Sequence, residues 1–356
     1  MSDGGGCHLT LVVPGLPGPG AAGDQWWAGL TLPALTRFLT RSTRLSPLCA
    51  EPAFAGLLFG CFDVPGEGPD WPAAAVTASL DGAESGAAAW WLRADPVHLR
   101  VDMGELVLVD TAHLAISAEE ADMLSAEINA ELDASAPRLQ ALAADRWYVG
   151  LEVPQDLATQ PPWEVSGAAI GDHMPRGGDA GTWRAWVNDV QMILHASAVN
   201  RERERRGAPA VNSVWPWGGG HLPRVPTGRW RSVSGDNPLV SGLGTLAGAV
   251  TGDLSQSGFE DGGPWLARDD LPGDHLLVFD AAYVPVRVAD PDAWRDFVSS
   301  FEENWMAPLL DALASGLIQS ARLSTGSGRD YRLRRRDLRR WWRPGRSPAR
   351  ALWAGR

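Results

Sequence analysis

The chain has 356 residues and a formal net charge of -12, and all 31 of its basic residues are arginine. The absence of lysine excludes a Walker-type phosphate loop, which needs a Lys after its glycines, and a pyridoxal Schiff base, which needs a Lys amine. A hydrophobic fraction of 45% with 21% charged residues describes a soluble globular chain with ample core, built as one large domain or two ordinary ones. In chain order, His8 to Val13 reads as a first strand closed by the turn Pro14-Gly15, and Leu32 to Ser42 as a helix. A Gly- and Pro-rich loop follows over 64–72. Ala88 to Leu92 and His98 to Asp110 alternate as strands, with a hairpin turn at Met103-Gly104. Ser117-Ala-Glu-Glu120 is a capping box that opens a helix running to about Leu132. Arg146 to Val153 reads as a strand. Thr182 to about Arg206 is the best helix, with Trp186, Val190, Ile193 and Leu194 on one face. Val211 to Gly220 reads as a short strand running into a glycine loop. His275 to Asp280 is a buried strand, and Asp292 to Ser315 a helix with Trp294, Val298, Trp305 and Leu309 inward. Strands alternating with helices predict an α/β layered architecture.

The three cysteines, Cys7, Cys49 and Cys61, form no CxxC pair and no metal spacing, so buried free thiols in a reducing compartment are expected. The amino-terminal MSDGGGC lacks the basic residues of a signal peptide, and no window is apolar and long enough to span a bilayer. The expected location is cytoplasmic. Charge is unevenly spread: Arg329 to Arg356 hold 11 Arg and two Asp, whereas the other 328 residues hold 20 Arg and 41 acids. An acidic body with a basic tail implies intramolecular docking or polyanion binding. A tail helix with Leu333, Leu338 and Trp342 inward explains the pattern as well as base stacking does, so docking is favoured over nucleic acid.

The most informative motif is Asn200-x-x-Arg203-x-x-x-Gly207, followed by Asn212 and Trp215-x-Trp217-Gly218-Gly219-Gly220. An amide, a guanidinium fork and a glycine loop could surround a phosphate or carboxylate. Spacing alone favours a structural reading, in which Asn200 caps the helix end and the glycines turn the chain. His195 reads as a packed histidine. Asp172-His173 and Asp274-His275 are merely adjacent. Neither HExxH nor GxSxG occurs, and Gly218 to Gly220 is not a dinucleotide fingerprint.

The block His195 to Pro223, HASAVNRERERRGAPAVNSVWPWGGGHLP, resembles the archaeal-type cofactor-independent phosphoglycerate mutases of the alkaline phosphatase superfamily. It is more similar still to bacterial RpfE-type regulatory proteins, a group in which WWLRADPVHL (Trp90 to Leu99) and an Arg-rich end with Trp-Trp also recur. The similarity runs from the first strand to Leu310. It implies an alkaline phosphatase-like α/β core with a smaller α+β cap of the substrate-binding type. The corresponding segments are a core over 1–88 and 226–328, a cap over 89–225 and an Arg-rich tail over 329–356.

In the mutases a phosphorylated Ser passes a phosphoryl group between substrate oxygens, while two metal ions held by carboxylates and histidines neutralise charge. Several of those parts are missing from this chain. Pro14-Gly15 stands where the mutases have a metal-binding Asp-Gly. Pro52 stands near the nucleophilic Ser. His275 and Asp280 are kept, but Val284 replaces the last His, and Trp294 lies where a Lys is expected. Asp63 or Ser46 could substitute for a missing group.

The resemblance therefore implies a non-catalytic regulatory or anionic-metabolite-binding protein, with no catalytic residue assigned. Its anion site would comprise Arg93, Asn200, Arg203, Asn212, Gly218, Gly219 and Gly220, and its partner would be a phosphorylated small molecule rather than a membrane or nucleic acid. No cofactor is expected. Asp280 and His275 remain weak metal candidates, and a divalent ion such as Mn or Mg would enter only if the chain were an active divergent phosphomutase or phosphotransferase. The third reading is an adaptor working through the Arg-rich tail.

Overall fold

The computed structural model describes residues 6–19, 24–49, 53–66, 68, 70–83, 89–254, 272–326 and 328–353. In chain order the strands are β1 (Cys7–Val12), β2 (Thr43–Leu45), β3 (Trp90–Asp102), β4 (Glu105–Val109), β5 (Leu139–Ala143) and β6 (Arg146–Leu151). They continue as β7 (Ser213–Gly220), β8 (Ser232–Gly235), β9 (Val250–Gly252), β10 (Gly273–Val278), β11 (Ser320–Ser324) and β12 (Asp330–Arg334). The chain forms two compact units, one of 1–65 with 224–356 and the other of 66–223. The first boundary falls at Gly66, not at residue 89, because the helix Ala73–Leu80 packs on strands β3 and β7 of the second unit.

The first unit is built on a seven-stranded sheet of order β2-β12-β11-β1-β10-β8-β9. The run from β11 to β9 is parallel, and β12 and β2 join antiparallel at one edge. Cys7, Leu9 and Leu11 alternate onto one face of β1 and are buried against the helices Pro33–Arg41, Pro291–Phe301 and Ala307–Ser315. The last two helices are joined by a π turn over Glu302–Met306, so the predicted inward face of Trp294, Val298, Trp305 and Leu309 is kept. That turn places Glu302 at the start of Pro33–Arg41, where its carboxylate accepts from the Ala34 N–H (2.5 Å) and the Leu35 N–H (2.9 Å). Leu32 has no side-chain acceptor, so a carboxylate from elsewhere caps this helix.

The Arg-rich end belongs to this unit and is not the single helix expected. Tyr331 and Leu333 are core residues of β12, a 3-10 turn follows over Arg335–Arg339, and Trp341 and Trp342 are exposed. The segment Asp330-Tyr-Arg-Leu-Arg334 has period 2, which the strand obeys and a helix would break.

The second unit holds an antiparallel sheet of order β4-β3-β6-β5, with β7 also paired to β3. The two strands read at 88–92 and 98–110 are one long β3 and its hairpin partner β4. Met103 (φ 49°) and Gly104 (φ 87°) form the turn between them. Trp90, Leu92 and Ala94 pack against the helices Ala118–Glu131 and Ala180–Ala196, while Trp91 and Tyr148 pack with Ala74, Ala75 and Ala78 of Ala73–Leu80. The capping box is formed in both directions, Glu120 N–H to Ser117 Oγ (3.1 Å) and Ser117 N–H to the Glu120 carboxylate (3.0 Å). The helix expected over 182–206 breaks at Ser197, whose hydroxyl accepts from the N–H groups of Val199 and Asn200 and starts a second helix, Ala198–Arg205. Among the described residues no helix is long and apolar enough to cross a membrane.

Candidate functional site

In open parallel sheets ligands bind outside the carboxyl ends of the strands. In the first unit those ends carry Pro14-Gly15 after β1, Asp236-Asn237 after β8 and Asp280 after β10. Asn237 donates from Nδ2 to Asp280 Oδ2 at 3.0 Å, and its own Oδ1 accepts the Leu239 N–H at the start of Pro238–Leu246. Burial raises the Asp280 carboxyl above the ordinary range, and Asp236 adds to the shift by repulsion. Gly15 sits at φ 83°, and a Cβ there would lie 2.4 Å from the Ala282 carbonyl oxygen, so only glycine fits. Trp294, fully buried, donates its indole N–H to the Gly15 carbonyl (3.0 Å) and packs edge-on against Trp27. An apolar ring thus sits beside the β1 turn.

His275 does not join Asp280. It is buried near the start of β10, its Nδ1 lying 2.7 Å from the Ser232 hydroxyl. Asp280 lies five positions further along, just past the end of β10, a span on the order of 16 Å, which no single ion bridges. Asp63 is ion-paired with Arg229 (2.5 Å), and the Ser46 backbone carbonyl accepts from Arg322. Pro52 lies outside the described residues.

The anion-site residues read from the sequence are each held by the second unit itself. Arg93 gives Nε (2.9 Å) and Nη2 (2.8 Å) to the two oxygens of Asp95 and lies over the Trp217 ring. Asn200 donates to the carbonyls of Leu194, in the last turn of Ala180–Ala196, and Val211 and accepts the Val211 N–H; it serves the helix end and ties it to the strand that follows. Arg203, 1% exposed, reaches Glu120, the Leu114 carbonyl and the Pro209 carbonyl. Asn212 pairs with both backbone groups of Leu99. Arg93 follows the odd-numbered β3 residues onto the Ala73–Leu80 face, whereas Arg203 packs by the helix Ala118–Glu131 on the other, so the two guanidiniums do not converge.

The glycine loop is a bulge in β7. The pairing with β3 shifts there, Gly218 has φ 68°, and a Cβ on Gly219 would fall 2.3 Å from the Trp90 ring. Its neighbour is an anion of the chain's own. Asp70 accepts from the Thr159 N–H (2.8 Å), the Thr159 hydroxyl and the Gly219 N–H, and Gly218 N–H in turn reaches Thr159 Oγ1 (3.1 Å). Burial outweighs these bonds and pushes the Asp70 carboxyl up to about 6. The folded form therefore holds this proton at pH values where the unfolded form has lost it. Its contribution to stability falls as pH rises from about 4 to about 6. Urea midpoints at pH 4.5 and 7 should differ less for Asp70→Asn than for the parent chain; an unchanged difference would remove Asp70 from the pH response.

The sequence reading missed Asn237 and the Trp294 plug. The Asn-Pro dipeptide at 237–238 is a helix-start signal that also places an amide after β8, but its neighbour Asp280 lies 43 residues on.

No family model matches the chain. It is similar to the 2,3-bisphosphoglycerate-independent phosphoglycerate mutase of Methanosarcina acetivorans, 27% identical over 48% of this chain and 45% of that protein. The enzyme of the same name from Methanothrix thermoacetophila is 34% identical over 29% of this chain and 28% of its own length. The matched part thus spans less than half the length of these relatives. A solved protein from Pyrococcus horikoshii shares the mixed α/β fold, with a TM-score of 0.54, 15% identity, and coverage of 92% of this chain and 87% of that one. The relatives correct the expectation that no cofactor is involved, since the mutase family they represent works with divalent metal ions. The residues of this chain do not fit a pair of such ions. Asp280 and His275 stand apart, and among the described residues no three His, Cys, Asp or Glu side chains group to hold one.

Proposed function

We propose that this is a phosphoglycerate mutase-like protein with a degenerate metal and phosphoserine site, which binds an anionic, phosphorylated metabolite and acts as a regulator rather than turning it over. The observation that carries this reading is the carboxyl edge of the first-unit sheet. There β1 ends in Pro14, Asp280 is engaged by Asn237, and Trp294 packs at the Gly15 carbonyl. A phosphoryl-transfer centre needs a nucleophile and several hard oxygen ligands in one place. The mutase relatives support the general kind.

The expected result is no interconversion of 2- and 3-phosphoglycerate above background with manganese or magnesium, together with a rise in Tm when 3-phosphoglycerate is added. Metal-dependent turnover that Asp280→Ala abolishes would overturn the reading and favour an active phosphomutase.

A further inference from the structure

The strand alternation in the first unit assembles a row of arginines that no part of the mutase-like site uses. Tyr331 and Leu333 face the helix-covered core, so Asp330, Arg332 and Arg334 look to the opposite face of β12. The pairing register carries that face across the sheet. Arg334 lies beside Ser320, Ser320 beside His8, and His8 beside Asp274; Arg332 lies beside Arg322, and Arg322 beside Thr10. An open cavity of about 910 Å³ lies over these rows, on the amino halves of β1, β10 and β11, and Leu45, Leu48 and Trp230 give it apolar walls.

The charges lining it are unbalanced. Arg322 is neutralised by Asp330 (Nε to Oδ2, 2.6 Å) and Arg229 by Asp63. Arg332, Arg334 and Arg336 have no carboxylate within ion-pair distance among the described residues; Asp337, itself paired with Arg340, acts on Arg332 from farther off, and Asp274 is the acid on the lining. Arg332 stands directly opposite Arg322, a cross-strand like-charge placement that destabilises a sheet unless something offsets it. Burial and the nearby Arg334, Arg322 and Arg336 make Arg332 give up its proton more readily than an ordinary arginine, against the opposing pull of Asp337.

We propose that this cavity is a binding site for a multiply phosphorylated small molecule, with Arg332, Arg334 and Arg336 as its phosphate ligands. Guanidinium forks match phosphate oxygens in pairs, and several forks around one concavity suit a ligand carrying more than one phosphate. The size is that of a metabolite pocket, for which about 300–1,000 Å³ is usual. The chain's overall charge of -12 opposes a long polyanion approaching the rest of the surface. The site stands apart from the carboxyl strand ends and does not depend on the mutase-like reading.

The test is a calorimetric titration of the full chain with tripolyphosphate at low ionic strength, with a single-stranded DNA oligonucleotide titrated in parallel. Saturable tripolyphosphate binding is expected, weakened on the order of a hundredfold in Arg332→Gln/Arg334→Gln, each lost charged contact costing on the order of one decade. The unliganded double variant should melt no lower than the parent, because repulsion is relieved. Arg336→Gln, at an exposed position, keeps the question open to measurement if the double variant folds poorly, and should weaken binding on its own, while Arg339→Gln, outside the cavity, should not. Absence of saturable binding, or equal affinity in the parent, the double variant and Arg336→Gln, would overturn the proposal. Tighter binding of the oligonucleotide, lost in the same variants, would overturn it in favour of nucleic acid.

Discussion

Replacing Asp95 by Ala is expected to destabilise the second unit by about 3–5 kcal/mol, the usual loss when one partner of a buried ion pair is removed. Asp95 is 1% exposed and accepts from Arg93 twice, from the Trp217 indole N–H (2.7 Å) and from the Trp147 N–H (3.4 Å). Burial by itself raises the Asp95 carboxyl, and the Arg93 guanidinium opposes that shift. Without Asp95 the guanidinium would remain by the Trp217 and Tyr148 rings without its direct ion-pair partner, with Asp81 acting on it only from beyond the Tyr148 hydroxyl. Urea unfolding followed by tryptophan fluorescence reports this directly, since Trp217 and Trp147 flank the site. Arg93→Met/Asp95→Leu should recover much of the loss, because a well-packed apolar pair avoids desolvating two ions. A single variant as stable as the parent would show that the pair contributes little.

Arg203→Ala is expected to cost a similar amount, about 3–5 kcal/mol. The guanidinium reaches three acceptors at once: Glu120 Oε2 (2.6 Å), the Leu114 carbonyl (2.5 Å) and the Pro209 carbonyl (2.9 Å). Its removal leaves the buried Leu114 carbonyl unpaired, worth about 1–3 kcal/mol, while the Pro209 carbonyl, on an exposed residue, can turn to water. Glu120 keeps Arg206 and the Ser117 N–H, which limits the loss at the carboxylate. Arg203→Lys should rescue little, because an ammonium cannot reproduce the planar fork. Chemical denaturation of the three chains checks both statements; a lysine variant of full stability would refute the fork geometry.

Both residues show why the site was only partly legible. Asn200, Arg203 and Asn212 stand out as polar groups in an apolar neighbourhood, and the sequence marks them correctly as special. Whether such a group holds a ligand or another part of the chain depends on what lies opposite. Arg203 meets Glu120, 83 positions away, and Asn212 meets Leu99, 113 positions away. Spacing along the chain carries no information about either. The glycine loop fits the same account, since the carboxylate it approaches is Asp70 and comes from a loop far upstream.

Elements governed by local physics were easier to read. The Ser117 capping box, the Met103-Gly104 turn and the inward stripe of Trp294, Val298, Trp305 and Leu309 all follow from contacts within a turn or two. The helix over 182–206 breaks because Ser197 competes for backbone N–H groups, a choice that apolar periodicity does not register. The Arg-rich end misleads for a different reason. Leu333, Leu338 and Trp342 suit a helical face, while Tyr331 and Leu333 suit a strand face, and a free sheet edge beside β11 decides between them.

Composition and order alone thus determine that no lysine chemistry is available, that Pro14-Gly15 follows the first strand, and that the architecture is α/β. These are statements about residue identity and short-range periodicity. The tertiary structure decides which charges are already spoken for. It sets His275 near the start of β10 and Asp280 past its end, commits Arg93 and Arg203 to internal acids, and leaves Arg332, Arg334 and Arg336 over a cavity without a carboxylate at ion-pair distance among the described residues. An arginine's role is set by the distance to its nearest counter-charge, and folding fixes that distance between residues the chain keeps far apart.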